Sequence, residues 1–170
     1  HLIWYGVLSK ALGFDTGFKL AFGYRDYILD LFELITGGRI YPAGYICPGG
    51  VRRDLPEGAS DKILKVLQDM NDMIKLEEVG CPTLPGRMKG IGVLSPNDAL
   101  RYGATGPVLR GSGVPHDVRK DDPYEIYGRL DFAIPVQDGG DAWARYLIGI
   151  EEMKQSQEII RQAIEGLPEG

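Results

Sequence analysis

The sequence predicts a mainly α-helical protein with a small β component, an α+β fold class. Three observations support this prediction. Apolar residues recur at helical spacing in several long stretches. Helix-start residues and glycine stops flank these stretches. Only one short stretch alternates apolar and polar residues as a strand does. The 170 residues are 44% hydrophobic, which is enough for a buried core, so we expect a single domain spanning residues 1–170.

The first half of the chain is predicted to form three helices, with an irregular segment between the second and the third. The predicted helices cover residues 1–12, 17–36 and 61–79. Gly13 and Gly37 follow the first two helices, and glycine commonly ends a helix. Residues 39–58 are rich in proline, glycine and aromatic side chains, which predicts an irregular extended segment or a short hairpin.

The second half of the chain is predicted to contain loops, one strand and a long final helix. Residues 80–90 are predicted to be a loop and residues 91–94 a short buried segment. Ser95 followed by Pro96 predicts the start of a short helix. Residues 129–136 alternate apolar and polar side chains, which predicts a half-buried strand.

The final helix is predicted to run from a cap at Asp141 to about residue 164. Its predicted inward stripe consists of Tyr146, Ile150, Met153, Ile160 and Ile164. The intervening stretch EEMKQSQE, residues 151–158, is predicted to form the solvent-facing side of the helix.

Residues 103–127, GATGPVLRGSGVPHDVRKDDPYEIY, combine glycine and proline with a high density of charge. One interpretation is a solvated linker. The other is a folded loop in which arginines and carboxylates such as Arg110 and Asp117 pair at a partly buried site. Apolar residues such as Leu109 favour the folded loop, because a linker has little use for them. The residue pattern alone leaves both interpretations open.

Composition excludes several function classes. A net charge of −5 argues against a nucleic-acid partner, which calls for a basic face. Cys47 and Cys81 lack metal-ligand spacing, as do His1 and His116, so we expect no metal site and no cofactor bound by this chain alone. No run of 18 apolar residues is present, so no membrane-spanning helix is predicted. The absence of an initiator Met suggests a piece of a longer protein.

Several stretches resemble one known family. They are YRDYILDLFELITGGRIYPAGYICPGGVRRDLPEG, LRGSG followed by DVRK and PYEIY, and GDAWARYLIGIEEMKQSQEII. Together they are similar to the D-type subunit of NADH-quinone oxidoreductase, the complex I 49 kDa subunit, which is related to the large subunit of [NiFe] hydrogenases. The resemblance covers nearly all 170 residues. It implies the helical core of the [NiFe] hydrogenase large subunit-like fold and an internal fragment of a longer chain of the D type.

The resemblance implies a role in an oxidoreductase complex, and the fragment alone is expected to be inactive. In the family, this subunit and an iron–sulfur subunit of the B type form a pocket where quinone is reduced, and electron transfer is coupled to proton translocation. The implied cluster belongs to that partner, and NADH or another reduced carrier is oxidised elsewhere. Other implied neighbours are a C-type subunit and membrane-arm subunits, on the cytoplasmic side of the membrane or its organelle equivalent. The alternative is a segment of a membrane-bound [NiFe] hydrogenase large subunit.

The resemblance also assigns candidate site residues. The loop expected to face the cluster and quinone contains Arg39, Tyr41, Tyr45, Pro48, Gly49 and Gly50. The charge network expected to support this loop contains Arg110, Ser112, Asp117 and Arg119. Tyr41 stands where the family has a histidine near the cluster. Tyrosines titrate near pH ~10, so this position is not expected to supply a histidine's proton coupling at neutral pH.

Overall fold

The computed structural model describes residues 1–48, 50–79 and 83–168. It divides into two compact units: an N-terminal unit, Leu2–Met73, and a C-terminal unit, Ile74–Glu165. Helices dominate both units, which confirms the predicted mainly α fold class. Organisation as a single domain stays a prediction. Within the described ranges, no helix is both long enough and apolar enough to cross a membrane.

The N-terminal unit begins with two packed helices, α1 (Leu2–Ala11) and α2 (Asp15–Thr36). Tyr5 of α1 and Ala21 of α2 are completely buried. Gly6 allows the close approach of the two helices, because a Cβ atom there would lie 2.8 Å from the ring of Phe22. Gly37 ends α2 with a φ of 80°, a left-handed conformation that favours glycine.

A short hairpin follows α2, as one of the two sequence expectations for this segment anticipated. A 3-10 turn, Pro42–Tyr45, leads into strand β1 (Ile46–Cys47), which pairs antiparallel with strand β2 (Gly50–Val51). Gly49, one of the residues that the resemblance assigns to this loop, lies outside the described residues. Helix α3 (Ala59–Val79) comes next and buries one face. The buried side chains of that face include Ile63, Leu67, Met70 and Met73.

The C-terminal unit is built around one long helix. Among its described residues, four short helices precede it: α4 (Thr83–Met88), α5 (Pro96–Arg101), α6 (Gly106–Arg110) and α7 (Val118–Asp121). A 3-10 turn, Tyr127–Arg129, and an extended stretch then lead into α8 (Ala142–Glu165). Ser95 caps α5 and Asp141 caps α8, as predicted: each side-chain oxygen accepts a backbone N–H from the first turn.

Two predicted features of residues 80–94 are wrong. The described part of the predicted loop contains α4, because Leu84 and Met88 are both buried and need a regular backbone to face the core together. The predicted buried segment is exposed: Ile91 and Val93 are 60% and 65% accessible. Gly90 and Gly92 adopt positive φ angles around it, so the chain forms a surface turn that four apolar residues alone do not reveal.

The predicted strand over residues 129–136 is also wrong. The stretch is extended and its side chains alternate between buried and exposed, but no described strand pairs with it. Its backbone bonds instead to side chains of α8. The predicted solvent-facing side of α8 is wrong at Glu152, which is buried, whereas Met153 is buried as a member of the predicted inward stripe. Ile160 of that stripe is exposed.

Candidate functional site

The family-derived loop residues lie on an exposed arm of the N-terminal unit, residues 39–53, which we call the hairpin arm. Tyr41 is the most accessible of its described large hydrophobic side chains, at 84%. Ile40, Ile46 and Val51 are also more than half exposed. Pro48 and Gly50 are exposed at the tip, and Gly50 has a φ of 144°. The arm therefore presents apolar and backbone groups outward.

Arg39 fixes the start of the hairpin arm to α2. Its guanidinium donates to Asp26 at 2.6 Å, to Asp30, and to Glu33 at 3.3 Å. These carboxylates occupy successive turns on one face of α2 because they are spaced four and three residues apart. The hydrogen bond to Asp30, followed by those to the other two, raises the pKa of Arg39. Arg39 is thus held against the helix by carboxylates of its own unit.

Arg53 fixes the other end of the hairpin arm to the end of the same helix. Its Nε and Nη2 donate to the carbonyl oxygen of Ile35 at 3.0 and 2.7 Å. Carbonyls in the last turn of a helix lack partners within the helix and carry its partial negative charge, so a guanidinium is a suitable cap. The two arginines hold both ends of the arm against α2.

A small cavity lies at the base of the hairpin arm. Its volume is about 380 Å³, and it is lined by Thr36, Gly37, Tyr45, Arg52 and Arg53. Among the family-derived loop residues, Tyr45 lines this cavity, whereas Tyr41 is directed into solvent. The loop residues therefore divide between the base and the exposed surface of the arm.

Arg110 is the centre of a buried cluster of charges in the C-terminal unit. It is only 5% exposed and ends α6, directly after the buried Leu109. Its Nη2 pairs with the Oε1 of Glu152 on α8. Its Nη1 donates to the carbonyl of His116 at 2.9 Å and lies 3.5 Å from the Oδ2 of Asp117. Arg110 thereby ties the loop of residues 111–117 to α8.

Asp117 joins a second arginine to this cluster. Arg119 donates to both carboxylate oxygens of Asp117, from Nε at 2.9 Å and from Nη2 at 2.6 Å. Hydrogen bonding from Arg119 lowers the pKa of Asp117, against the effect of burial. The guanidinium of Arg119 also lies 5.0 Å from the ring centroid of Phe132. Residues 103–127 therefore form a folded loop, one of the two interpretations of the sequence.

Ser112 and Glu152 take different parts in this cluster. Ser112 is 1% exposed, and its hydroxyl donates to the carbonyl of Val108 at 3.2 Å. This hydrogen bond stabilises the turn after α6, and Ser112 contacts none of the charged groups through it. Glu152 was missed by the sequence reasoning. The available signal was its position four residues after Ile148, which is completely buried, because that spacing places both on one helix face.

The hairpin arm belongs to the N-terminal unit and the cluster around Arg110 to the C-terminal unit. The predicted support of the arm by the cluster therefore stays a prediction. Across residues 1–48, 50–79 and 83–168, no group of three or more His, Cys, Asp or Glu side chains has a geometry that could hold a metal ion.

Residues 11–170 match the family described as respiratory-chain NADH dehydrogenase, 49 Kd subunit. The chain belongs to this family, as the resemblance predicted.

Curated relatives agree with this assignment. A D-type subunit of the NADH-quinone oxidoreductase of Thermodesulfovibrio yellowstonii is 41% identical over 175 residues, which cover 100% of this chain and 43% of that protein. The D-type subunit of the Cupriavidus necator enzyme is 39% identical, covering 98% of this chain and 46% of that protein. A C/D-type subunit of the Aquifex aeolicus enzyme is 43% identical, covering 96% and 28%. The chain spans less than half the length of these relatives.

A solved structure shares the fold. It is the structure of the membrane-bound sulfane sulfur reductase, described as an archaeal respiratory membrane complex. One of its chains is 41% identical to this chain, with a TM-score of 0.92. The match covers 99% of this chain and 46% of that chain.

Proposed function

We propose that the chain is part of a respiratory oxidoreductase subunit that forms a quinone-reduction pocket with an iron–sulfur subunit. In this role it helps to couple electron transfer to proton translocation. The observation that supports the proposal is the membership of residues 11–170 in the 49 kDa subunit family. The D-type relatives belong to NADH-quinone oxidoreductases, which favours this proposal over a [NiFe] hydrogenase.

The proposal assigns the cofactors to the neighbours of this chain. NADH or another reduced carrier is oxidised in other subunits, and a cluster in a B-type subunit supplies electrons to the quinone. A C-type subunit and membrane-arm subunits complete the surroundings, and the chain lies on the cytoplasmic side of the membrane. The C/D name of the Aquifex aeolicus relative supports a C-type neighbour.

In this proposal the hairpin arm is the part of the chain that meets the cluster and the quinone. Its accessible apolar side chains and its exposed glycine would allow a partner or a flat ring to approach the backbone closely. Tyr41, Tyr45, Pro48 and Gly50 contact the pocket, together with Gly49, which the resemblance adds to this set. Arg39 acts as a positioning residue, because its guanidinium is already bound to carboxylates of α2.

The test is quinone reduction by the purified, assembled complex with Tyr41 replaced. We expect Tyr41→Ala to lower kcat/KM for quinone by about tenfold or more, because the misplacement of a substrate by a small distance has a large effect on rate. Tyr102→Ala is the matched control, since Tyr102 is 76% exposed and lies in the other unit. Unchanged quinone reduction by a normally assembled Tyr41→Ala complex would refute the assignment.

Reduction of sulfane sulfur is a second candidate function. One observation favours it: the solved structure at a TM-score of 0.92 belongs to a membrane-bound sulfane sulfur reductase. The same purified complex distinguishes the two candidates when it is supplied with its reduced donor and either a quinone or an organic trisulfide. Turnover of the trisulfide without turnover of the quinone would select the second candidate.

A further inference from the structure

The hairpin arm depends on its two ends for its position in the N-terminal unit. Its strands, β1 and β2, are only two residues long each. One further bond closes the base of the hairpin, from the N–H of Arg52 to the carbonyl of Tyr45 at 2.8 Å. An isolated two-stranded hairpin is only marginally stable in water. The contacts that the two ends make with α2 therefore decide where the arm lies.

The return end of the arm is bound to the last turn of α2. There the carbonyl of Glu33 accepts the N–H of Gly37 at 2.9 Å. The next two carbonyls, of Leu34 and Ile35, accept from the guanidinium of Arg53, which places two of its three hydrogen bonds on Ile35. Carbonyls at a helix end have no partner within the helix, and here a residue 18 positions beyond Ile35 supplies one.

A short path connects this contact to Tyr45. Arg53 follows Arg52 directly in the chain, and the N–H of Arg52 donates to the carbonyl of Tyr45. The side chain of Arg53, one peptide link and one hydrogen bond thus join the end of α2 to the backbone of Tyr45. Tyr45 and Arg53 also line the same cavity at the base of the arm. A shift of Arg53 away from α2 therefore moves Tyr45 with it.

The contact at the other end of the arm depends on attraction between exposed ions. Arg39 pairs with Asp26, Asp30 and Glu33, whose side chains are all exposed. Exposed ion pairs contribute little net stability and are screened at physiological ionic strength. The acceptors of Arg53 are carbonyls without a net charge, so its contact does not depend on a pair of ions. We therefore expect the return end to determine the position of the arm at physiological ionic strength.

We propose that Arg53 is a positioning residue of the quinone site, which holds Tyr45 in place through its hydrogen bonds to the end of α2. Arg53 acts without contacting the quinone, because its guanidinium is bound to the carbonyls of Leu34 and Ile35. The inference rests on the proposed function, which assigns Tyr45 to the quinone pocket. A small displacement of a group that orients a substrate has a large effect on rate, so a residue outside the pocket can control quinone reduction.

The first test measures the position of the arm and does not depend on the substrate. Hydrogen exchange is followed in the purified, assembled complex at the amide of Arg52, which bonds to Tyr45. We expect Arg53→Ala to speed this exchange at least about tenfold and to leave the amide of Leu29, inside α2, unchanged. Arg39→Ala is the control at the other end, with a smaller increase expected. A wild-type rate in Arg53→Ala, or a larger increase in Arg39→Ala, would overturn the proposal.

The second test asks whether Arg53 acts through Tyr45. The kcat and KM for quinone are measured per assembled complex, because a merely structural role would lower the yield of complex without changing either constant. We expect Arg53→Ala to lower kcat/KM by about tenfold alone and by less than about twofold in a Tyr45→Ala background. Additive losses would contradict the proposal. If Tyr45→Ala alone has no effect, the proposed quinone pocket is refuted, whereas the exchange measurement still decides whether Arg53 holds the arm.

Two further variants separate the hydrogen bonds of Arg53 from its charge. Arg53→Lys keeps a donor for a carbonyl at the helix end, so we expect it to recover part of the kcat/KM that Arg53→Ala loses. Arg52→Ala removes the same charge from the same cavity, but within the described part of the chain the guanidinium of Arg52 makes no bond to α2. We expect a smaller loss of kcat/KM in Arg52→Ala than in Arg53→Ala. Equal losses in these two variants, or no recovery in Arg53→Lys, would refute the positioning role.

Discussion

Arg110 and Glu152 form a buried ion pair in the C-terminal unit. Both are 5% exposed, and together with Asp117 and Arg119 they form a cluster with two positive and two negative side chains. The charges balance, so the desolvation of each ion is offset by a partner. The removal of one member leaves the buried cluster with one charge that is not balanced.

Glu152→Ala should therefore destabilise the C-terminal unit by about 3–5 kcal/mol, the usual effect of breaking a buried ion pair. Urea unfolding followed by the fluorescence of Trp143, in a Trp4→Phe background, reports on this unit, because the chain has two tryptophans and they lie in different units. Glu151→Ala is the control: Glu151 pairs with Lys154 near the surface, so we expect a change within about 0.5 kcal/mol. Similar losses for both variants would contradict the prediction.

Three of the four charged residues of this cluster could be predicted from the sequence, and Glu152 was missed. Arg110, Asp117 and Arg119 stand in a dense stretch of charge, so pattern and resemblance both pointed to them. Glu152 lies 42 residues from Arg110, within a run of polar residues that is typical of a solvent-facing helix. The spacing from Ile148 places Glu152 on the buried face of α8, and the position of Arg110 explains why a carboxylate stands there.

Gly23, inside helix α2, and Gly37, directly after its last residue, have opposite conformational requirements. Gly37 has a φ of 80° and ends the helix, where its N–H bonds to the carbonyl of Glu33. Gly23 lies inside the helix, and a Cβ atom there would meet no heavy atom within 4 Å. Substitution by alanine therefore strains the left-handed backbone at Gly37 and favours the helical backbone at Gly23.

Gly37→Ala should cost about 1 kcal/mol, because an L-residue is strained in the left-handed region. Gly23→Ala should instead stabilise by about 0.5–1 kcal/mol, since alanine is the better helix former. Unfolding followed by the fluorescence of Trp4, in a Trp143→Phe background, measures both effects in the N-terminal unit. Stabilisation by Gly37→Ala would show that the helix does not need its left-handed end.

Elements with local signals were predicted well, and elements that depend on distant contacts were not. Glycine stops and capping side chains mark α2, α5 and α8 in the sequence itself. The stretch of residues 129–136 has the alternation of a strand, but alternation shows only that the backbone is extended. Whether it pairs with a strand or with glutamines depends on α8, whose two glutamines lie 22 and 31 residues further along.

Four acidic side chains with lowered pKa values make the stability of the chain depend on pH. Hydrogen bonds from Lys10 lower the pKa of Asp15, and hydrogen bonds from Arg119 lower that of Asp117. Backbone N–H groups lower the pKa of Asp141, and Arg161 lowers that of Glu158. A lowered folded-state pKa contributes stability above the unfolded pKa, and this stability is lost as the pH falls through the folded value.

We therefore expect the chain to lose stability below about pH 4, where unfolded carboxyl groups become protonated. The loss should be greater for the C-terminal unit, which contains three of these four carboxyl groups. Asp117→Asn should reduce the pH dependence of unfolding reported by Trp143. Asp131→Asn is the control, because that side chain is exposed. An unchanged pH dependence in Asp117→Asn would exclude Asp117 as a source of the acid sensitivity.

The glutamine contacts of α8 also set an order of events in folding. Gln155 and Gln162 are seven residues apart, so they lie on the same face only after about two helical turns have formed. A helix forms in about a microsecond, and the stretch of residues 130–136 can dock only onto that finished surface. We therefore expect docking to be a late step, whose contacts are absent from the transition state. Loss of either glutamine should speed unfolding and leave the rate of folding nearly unchanged.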